Sequence, residues 1–262
     1  MDRTEPTSNR PASGWTRPKR FDRNLIVIGA GSAGLVSAYI AAAAKAKVTL
    51  VEANKMGGDC LNFGCVPSKA LIKSARVAHQ MRHADHYGLE PVEPRVPFSA
   101  VMERIHKVIA EIEPHDSVER YTELGVEVLQ GYAKLIDPWT VEIALNDGGT
   151  QRLTTRAIII ATGAQPFVPP IPGLAEIGFL TSDNMWERLR DRPAVPQRLV
   201  VLGGGPIGCE LAQSFARLGS EVTQIEMAPR LMMREDEDAA QFVEASIRAD
   251  GVNVLTRHNA VA

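Results

Sequence analysis

A strand, a glycine-rich turn, a helix and a second strand ending in an acid occur twice in this chain with one spacing. In the first copy the apolar run Asn24-Leu25-Ile26-Val27-Ile28 enters Gly29-Ala30-Gly31-Ser32-Ala33-Gly34, an Ala-rich helical stretch follows from Leu35 to Ala44, and Lys47 to Val51 reads as a strand closing on Glu52. In the second, Leu199-Val200-Val201-Leu202 enters Gly203-Gly204-Gly205-Pro206-Ile207-Gly208, a helix runs through Leu218, and a strand from Glu221 ends at Glu226. The first glycine and the acid are 23 residues apart in both copies. Self-similarity of this kind marks a repeated structural unit, and strand, turn and helix are the context that a dinucleotide fingerprint requires. Gly29 permits the tight turn, Gly31 lets the backbone approach a pyrophosphate, and Gly34 lets helix and strand pack closely. The helix N-terminus then holds the anion, and the carboxylates of Glu52 and Glu226 are placed to accept hydrogen bonds from ribose hydroxyls.

Shortly after the first copy comes Gly57-Gly58-Asp59-Cys60-Leu61-Asn62-Phe63-Gly64-Cys65-Val66-Pro67-Ser68-Lys69, with four residues between its cysteines. A disulfide needs its Cα atoms within roughly 7 Å, whereas five residues of α-helix rise about 7.5 Å and turn the side chains apart. Ordinary helix throughout is therefore excluded. Gly64 allows a break, and Pro67 suits the first turn of a new helix, which puts Cys65 at that helix's N-terminus. There the unpaired N–H groups and the helix dipole favour a thiolate, and Lys69, one turn on, adds to the pull. Two reduced core cysteines or half of a zinc site remain alternatives, although structural zinc prefers shorter spacings and four ligands. Electrons moving between a nicotinamide and a disulfide must change from hydride to thiolate chemistry, an exchange that a flavin makes. The cysteines follow the first fingerprint, so that site is expected to hold the flavin nucleotide and the second the nicotinamide.

With these residues in place the chain resembles the FAD-dependent pyridine nucleotide-disulfide oxidoreductases, and within them the dihydrolipoamide dehydrogenase and mercuric reductase group. The likeness runs from Arg23 to Ala262. It is carried by the cysteine segment, by Ile158-Ile159-Ile160-Ala161-Thr162-Gly163 and by the second glycine fingerprint. The resemblance implies an α/β fold with two Rossmann-like dinucleotide-binding domains of the three-layer ββα kind. An FAD-binding domain would cover 23–170, a linker 171–195 and an NAD(P)-binding domain 196–262. By the same resemblance, Cys65 is the thiol in charge-transfer contact with the flavin and Cys60 the outer thiol that exchanges with substrate. Lys69 sits near the flavin N5 and pairs with Glu210. FAD would be held by Gly29, Gly31, Ser32, Ala33, Gly34, Glu52, Gly58, Lys69 and the Ala161-Thr162-Gly163 segment, with a backbone contact from Tyr132-Ala133 to adenine. The nicotinamide nucleotide would be held by Gly203, Gly205, Ile207, Gly208 and Glu226. Glu226 favours NADH, because its carboxylate welcomes a free ribose hydroxyl and repels a 2′-phosphate; Arg230 and Arg234 lie close behind. Asp59 departs from the pattern, since many relatives carry Thr there.

The implied activity is passage of electrons between NAD(P)H, FAD and the Cys60–Cys65 disulfide to a thiol or disulfide substrate. A mercuric-ion reductase-like activity and a nucleotide-binding fragment without turnover are the alternatives. Enzymes of this group continue into an interface domain whose histidine and glutamate serve the partner's disulfide in a homodimer. No His-Pro segment of that kind occurs among the six histidines, so the chain is expected to be a fragment lacking that general acid/base.

The rest of the sequence narrows the classes. A chain of 262 residues, 45% hydrophobic and 23% charged, is ordinary globular material for one or two domains. A net charge of −2 leaves no basic footprint for nucleic acid, and no apolar run approaches a bilayer span. Residues 1–22 are expected to be a disordered leader without the apolar core of a secretory signal. Three cysteines exclude a disulfide scaffold, and a reversible pair suits a cytoplasmic location. Cys209 is expected to be a small packing residue. Val101, Ile105, Val108, Ile109 and Ile112 have helical spacing and are expected to be core contacts, with Pro114 ending or kinking the helix. Pro166 to Pro172 and a short helix near Trp186 look like a passage between domains. His79, His83 and His86 share a helical spacing but lack a completing ligand, so a solvated helix end rather than a metal site is expected. Glu235-Asp236-Glu237-Asp238 suits a helix start.

Overall fold

The computed structural model describes residues 14–261; the first part of the expected leader, 1–13, lies outside the described residues. From the N-terminus the elements are β1 (Arg23–Ile28), α1 (Ser32–Ala43), β2 (Val48–Glu52), α2 (Gly58–Asn62), α3 (Cys65–Arg82), α4 (Phe98–Ile112) and α5 (Val118–Glu123). The strands β3 (Val126–Leu135), β4 (Thr140–Leu145) and β5 (Thr150–Ile160) follow, then short helices α6 (Leu174–Ile177) and α7 (Met185–Arg188). Last come β6 (Arg198–Leu202), α8 (Pro206–Leu218), β7 (Glu221–Glu226), α9 (Glu237–Ala249) and β8 (Asn253–Thr256). They gather into two compact units, one from the chain up to Gly58 with His115–Gly163, the other from Asp59–Pro114 with Ala164 onward.

In the first unit β1 is apolar without alternation, which demands cover on both faces. It lies between β2 and β5, parallel to both, with Ile26 opposite Thr49 and Ile158, and β2 pairs in parallel with β3. Neighbouring side chains point to opposite faces. Val27 and Leu50 therefore pack with Leu35 and Ala38 of α1 and with Tyr121 of α5, while Ile26 and Val51 pack with Val141, Ile143 and Leu153. That second layer exists because β3 and β5 run longer than their apolar cores suggest. Gly131 to Leu135 and Thr150 to Thr154 leave the parallel sheet and pair antiparallel with β4. The result is helices, parallel sheet and antiparallel sheet in three layers. Asp22, expected to belong to a loose leader, is tied to β5: its carboxylate accepts from the Thr154 backbone N–H at 2.9 Å and hydroxyl at 2.8 Å.

The second unit contains a three-stranded parallel sheet in the order β6-β7-β8, with Leu199 opposite Val222 and Gln224 opposite Val254. Its core joins Leu71, Phe98, Met102 and Ile105 of α3 and α4 to Ala212 and Phe215 of α8, with the rings of Phe98 and Phe215 6.1 Å apart. Residues 59–114 therefore pack with the second glycine repeat. Residues 171–195, expected to be a linker, also enter this core. Met185, Trp186 and Leu189 are buried, and the Trp186 indole donates to the Phe63 carbonyl at 2.8 Å. α4 stops at Ile112, two residues before Pro114, and α9 opens with Glu237 and Asp238 in its first turn. Among the described residues no helix is long and apolar enough to cross a membrane.

Candidate active site

The first unit gathers its expected nucleotide residues at the C-terminal ends of parallel strands, where α/β sheets bind ligands. Gly29 turns the chain out of β1 with φ +102°, a left-handed conformation that favours glycine, and its N–H donates to Val51 O at 2.8 Å. A Cβ at Gly29 would collide with the Ala161 carbonyl, and one at Gly34 with the Gly29 carbonyl. The Ala161-Thr162-Gly163 segment thus lies against the glycine turn, held by the Ala161 N–H on Ile28 O at 2.8 Å. Gly31 faces Gly58: a Cβ on Gly58 would come within 2.6 Å of Gly31 Cα. Gly31 is the N-cap of α1 and no side chain caps that helix, so the N–H groups of its first turn, including those of exposed Ser32 and Ala33, are presented to an anion. Glu52 is 9% exposed; its Oε2 accepts from Ala30 N at 2.6 Å and its Oε1 from Asn54 N at 2.7 Å. A close-approach cradle, an uncapped helix start and an anchored carboxylate fit a dinucleotide. Ala133 sits in the antiparallel part of β3 opposite Ile143, half-buried beside exposed Tyr132.

The second unit repeats this geometry. Gly203 has φ +109° and donates to Ile225 O at 2.8 Å, and a Cβ at Gly208 would collide with the Gly203 carbonyl. Gly205 caps α8 with φ −77° and ψ 177°, against −79° and −175° for Gly31. Glu226 accepts from Gly204 N at 2.5 Å and from Ala228 N at 2.7 Å. Pro206 opens the helix and Ile207 is exposed in its first turn. Arg230 does not stand free behind Glu226. Its guanidinium donates to the carbonyls of Leu231, Met232, Met233 and Glu235 at 2.6 to 3.4 Å.

The cysteine segment is two helical pieces, as the spacing requires. At the end of α2 the N–H groups of Phe63 and Gly64 both converge on the Asp59 carbonyl, at 2.9 and 2.5 Å. Gly64 then leaves the helical region with φ −108° and ψ −104°, and α3 starts at Cys65. Cys60 is half-buried and Cys65 exposed. One turn along α3, Lys69 Nζ lies 2.7 Å from each carboxylate oxygen of Glu210, a residue 141 positions away in the first turns of α8. Beside them is an open recess of about 410 Å³ lined by Cys65, Val66, Lys69, Ala70, Arg104, Val108 and Ile112. Val108 and Ile112, expected only as core, line it. Their helical spacing carried no sign of that role. Cys209 is buried, as expected, and burial pushes its thiol up.

The histidine run meets the expectation at His83 and His86, which are exposed, and departs from it at His79. His79 and His83 stack at 4.2 Å, and His79 Nδ1 lies 2.9 Å from the carboxylate of Asp250, whose side chain is buried, so His79 is a paired group at an otherwise exposed helix end. Burial first and the Arg217 charge second hold His79 below its ordinary value, outweighing Asp250. Among the described residues no group of His, Cys, Asp and Glu is arranged to hold a metal ion.

Residues 23–262 match the family model described as pyridine nucleotide-disulphide oxidoreductase. Curated relatives include mercuric reductases from Streptomyces lividans, 37% identical over 89% of this chain and 48% of that protein, and from Bacillus cereus, 34% identical over 90% and 36%. The chain therefore spans about half the length, or less, of these relatives. Among solved structures it is similar to the HOCl-induced flavoprotein disulfide reductase RclA from Escherichia coli, with TM-score 0.71 at 29% identity over 90% of this chain and 49% of that one. The Cu(II) complex of that reductase gives TM-score 0.72 at the same identity.

Proposed function

The chain belongs to the pyridine nucleotide-disulphide oxidoreductase family, and from that premise we propose that it passes electrons between NAD(P)H, FAD and a Cys60–Cys65 disulfide to a thiol or disulfide substrate. The observation that carries this reading is the bidentate pair between Lys69 and Glu210. It ties the helix that begins at Cys65 to the helix that begins at the second glycine fingerprint. An ion pair this exposed, with side chains 58% and 39% accessible, is worth no more than about 1 kcal/mol. Its value is positional.

In this reading the residues from 23 to 170 form the FAD domain and those from 196 to 262 the nicotinamide domain. The amide cradle at Gly31 and the start of α1 would hold the FAD pyrophosphate and Glu52 its ribose. FAD supplies, when bound, the exchange between hydride and thiolate electron pairs. Cys65 is the thiol facing the flavin, and Cys60, as thiolate, attacks the acceptor sulfur. Cys65 and Lys69, the two residues read as facing the flavin, both line the largely aliphatic recess, where Arg104 is the other charged group. NADH is preferred over NADPH. Glu226 would repel a 2′-phosphate, and Arg230 already donates into four carbonyls. In this reading the working form is a cytoplasmic homodimer. A second reading, reduction of Hg(II), is favoured by relatives that are named mercuric reductases.

Spectroscopy separates these possibilities from a nucleotide-binding fragment. Purified protein should carry flavin absorbance and develop a long-wavelength charge-transfer band upon two-electron reduction, lost in Cys65→Ser. Colourless protein that takes up no added FAD would overturn the reading. Anaerobic turnover with lipoamide, glutathione disulfide and Hg(II) then assigns the acceptor.

A further inference from the structure

The two repeats differ two residues before the acid, where the first has Leu50 and the second Gln224. Gln224 is fully buried in the middle of β7, and its Oε1 has no hydrogen-bond partner. A buried amide with one end unmatched is costly, so its other end must matter. Nε2 lies 3.0 Å from the Gly203 carbonyl oxygen and 3.6 Å from Cys209 Sγ. A carbonyl only accepts, which requires the NH₂ group to face it and fixes the amide's orientation. Cys209 in turn lies 3.5 Å from the Gly204 carbonyl, positioned to donate its S–H; burial keeps that thiol protonated at neutral pH. At the matching places the first repeat has Leu50 and Leu35, which offer no donor.

The consequence follows from peptide geometry. In a trans peptide the carbonyl and the next N–H point in opposite directions. Holding the Gly203 carbonyl inward aims the Gly204 N–H at Glu226, where it bonds Oε2 at 2.5 Å. Holding the Gly204 carbonyl inward, where Met232 N also donates at 2.8 Å, turns the Gly205 N–H the other way, toward the mouth of the turn. We propose, on the reading of the second fingerprint as the pyridine nucleotide site, that Gln224 is a positioning residue which, with Cys209 as relay, presets the Gly203–Gly205 turn and the Glu226 carboxylate for the incoming dinucleotide.

Gln224→Leu restores the residue of the first repeat, and Gln224→Met keeps the length without the donor. Each is compared with wild type by titration with NADH and ADP-ribose, by amide hydrogen exchange over residues 203–208, by ligand-free thermal unfolding and by FAD content. Both variants should bind NADH and ADP-ribose about tenfold more weakly, equivalent to about 1.4 kcal/mol. Gly204 and Gly205 amides should exchange faster, KM for NADH should rise with kcat unchanged, and the unfolding midpoint and FAD content should hold or improve. A purely structural role would lower the midpoint and leave affinity alone. Wild-type affinity and exchange in either folded variant overturn the proposal. If the wild-type chain binds neither NADH nor ADP-ribose, the functional reading itself fails and this inference falls with it.

Discussion

Alanine at two neighbouring glycines separates ligand approach from packing. At Gly31, where φ is −79° and ψ −175°, the nearest atom to an added Cβ is Gly58 Cα at 3.8 Å, an ordinary contact. Gly31→Ala should therefore leave the flavin-free protein within about 0.5 kcal/mol of wild type, or stabilise it slightly by restricting the unfolded chain. The new methyl group nevertheless lies between two glycine backbones, where on the proposed reading a pyrophosphate would approach. Losing one charge-assisted hydrogen bond to that group, worth about 1.5–3 kcal/mol, weakens FAD binding by about 10- to 150-fold. At Gly34 the added Cβ runs into the Gly29 backbone carbonyl, which cannot swing aside as a side chain can. Overpacking costs about 1–3 kcal/mol, offset by up to about 1 kcal/mol of helix propensity. A net loss of about 1–2 kcal/mol lowers Tm by roughly 2–8 °C in a chain of this size. Thermal unfolding of the flavin-free proteins and fluorescence titration with FAD read both quantities. A Gly31→Ala protein that loses as much stability as Gly34→Ala while keeping full FAD affinity would refute the assignment of the cradle.

Glu210→Gln removes the charge that anchors Lys69. Stability should change by less than about 1 kcal/mol while stopped-flow reduction by NADH slows; an unfolding midpoint lowered by more than about 5 °C, with reduction unaffected, would make the pair structural. His79 is held below its ordinary value of 6.5, chiefly by burial and then by Arg217, so the fold prefers its neutral form. Its stabilising contribution is complete above that ordinary value and drains away as pH falls through the lower folded one. Denaturant midpoints should drop from pH 7 to pH 5 more steeply in wild type than in His79→Gln, and equal slopes would exclude this histidine as the cause. Trp186→Ala should cost about 3–5 kcal/mol, measured by circular dichroism in denaturant; a cost under about 0.5 kcal/mol would be that of a true linker.

Sequence and structure agree best where the chemistry is local. The turn at Gly29, the packing at Gly34, the break at Gly64 and the helix start at Cys65 depend on neighbours within a few residues. Each could be argued from backbone sterics before any coordinates. Lys69 and Glu210 are far apart in the chain, and only a resemblance to known enzymes named them as partners. What the periodicity of α3 and α4 left open was the surface they cover. A stripe such as Ala70, Leu71, Ala75 and Ala78 says which face is buried, not against what; in the structure that face packs with Ala212 and Phe215 of α8. The short helix near Trp186 is where the sequence puts it, but four residues have no period to show that Trp186 is buried, and its indole answers a carbonyl 123 positions earlier. The partner of His79 is Asp250, which caps the C-terminus of α9; nothing in the local sequence of either residue points to the other.

The backbones of the two fingerprints are nearly interchangeable, so differences in what they bind must come from what fills the space behind them. Both acids are anchored alike, through one N–H inside the glycine turn and one just after the strand. The residue between the first two motif glycines is not alike. Ala30 is fully buried with its methyl group accommodated, whereas a methyl group on Gly204 would meet Leu231 Cδ2 at 2.7 Å and Glu226 Oε2 at 2.9 Å. Leu231 reaches that place because the loop after β7 is drawn in by Arg230, whose guanidinium gathers four carbonyls of its own loop, and by the Met232 N–H on the Gly204 carbonyl. The positive charge that follows Glu226, the acid proposed to hold the ribose, is therefore directed into the backbone. On the proposed reading of this turn as the nicotinamide nucleotide site, Arg230 could receive a phosphate only if the loop that packs Leu231 against Gly204 opened, which would couple nucleotide choice to the packing beneath the glycine turn.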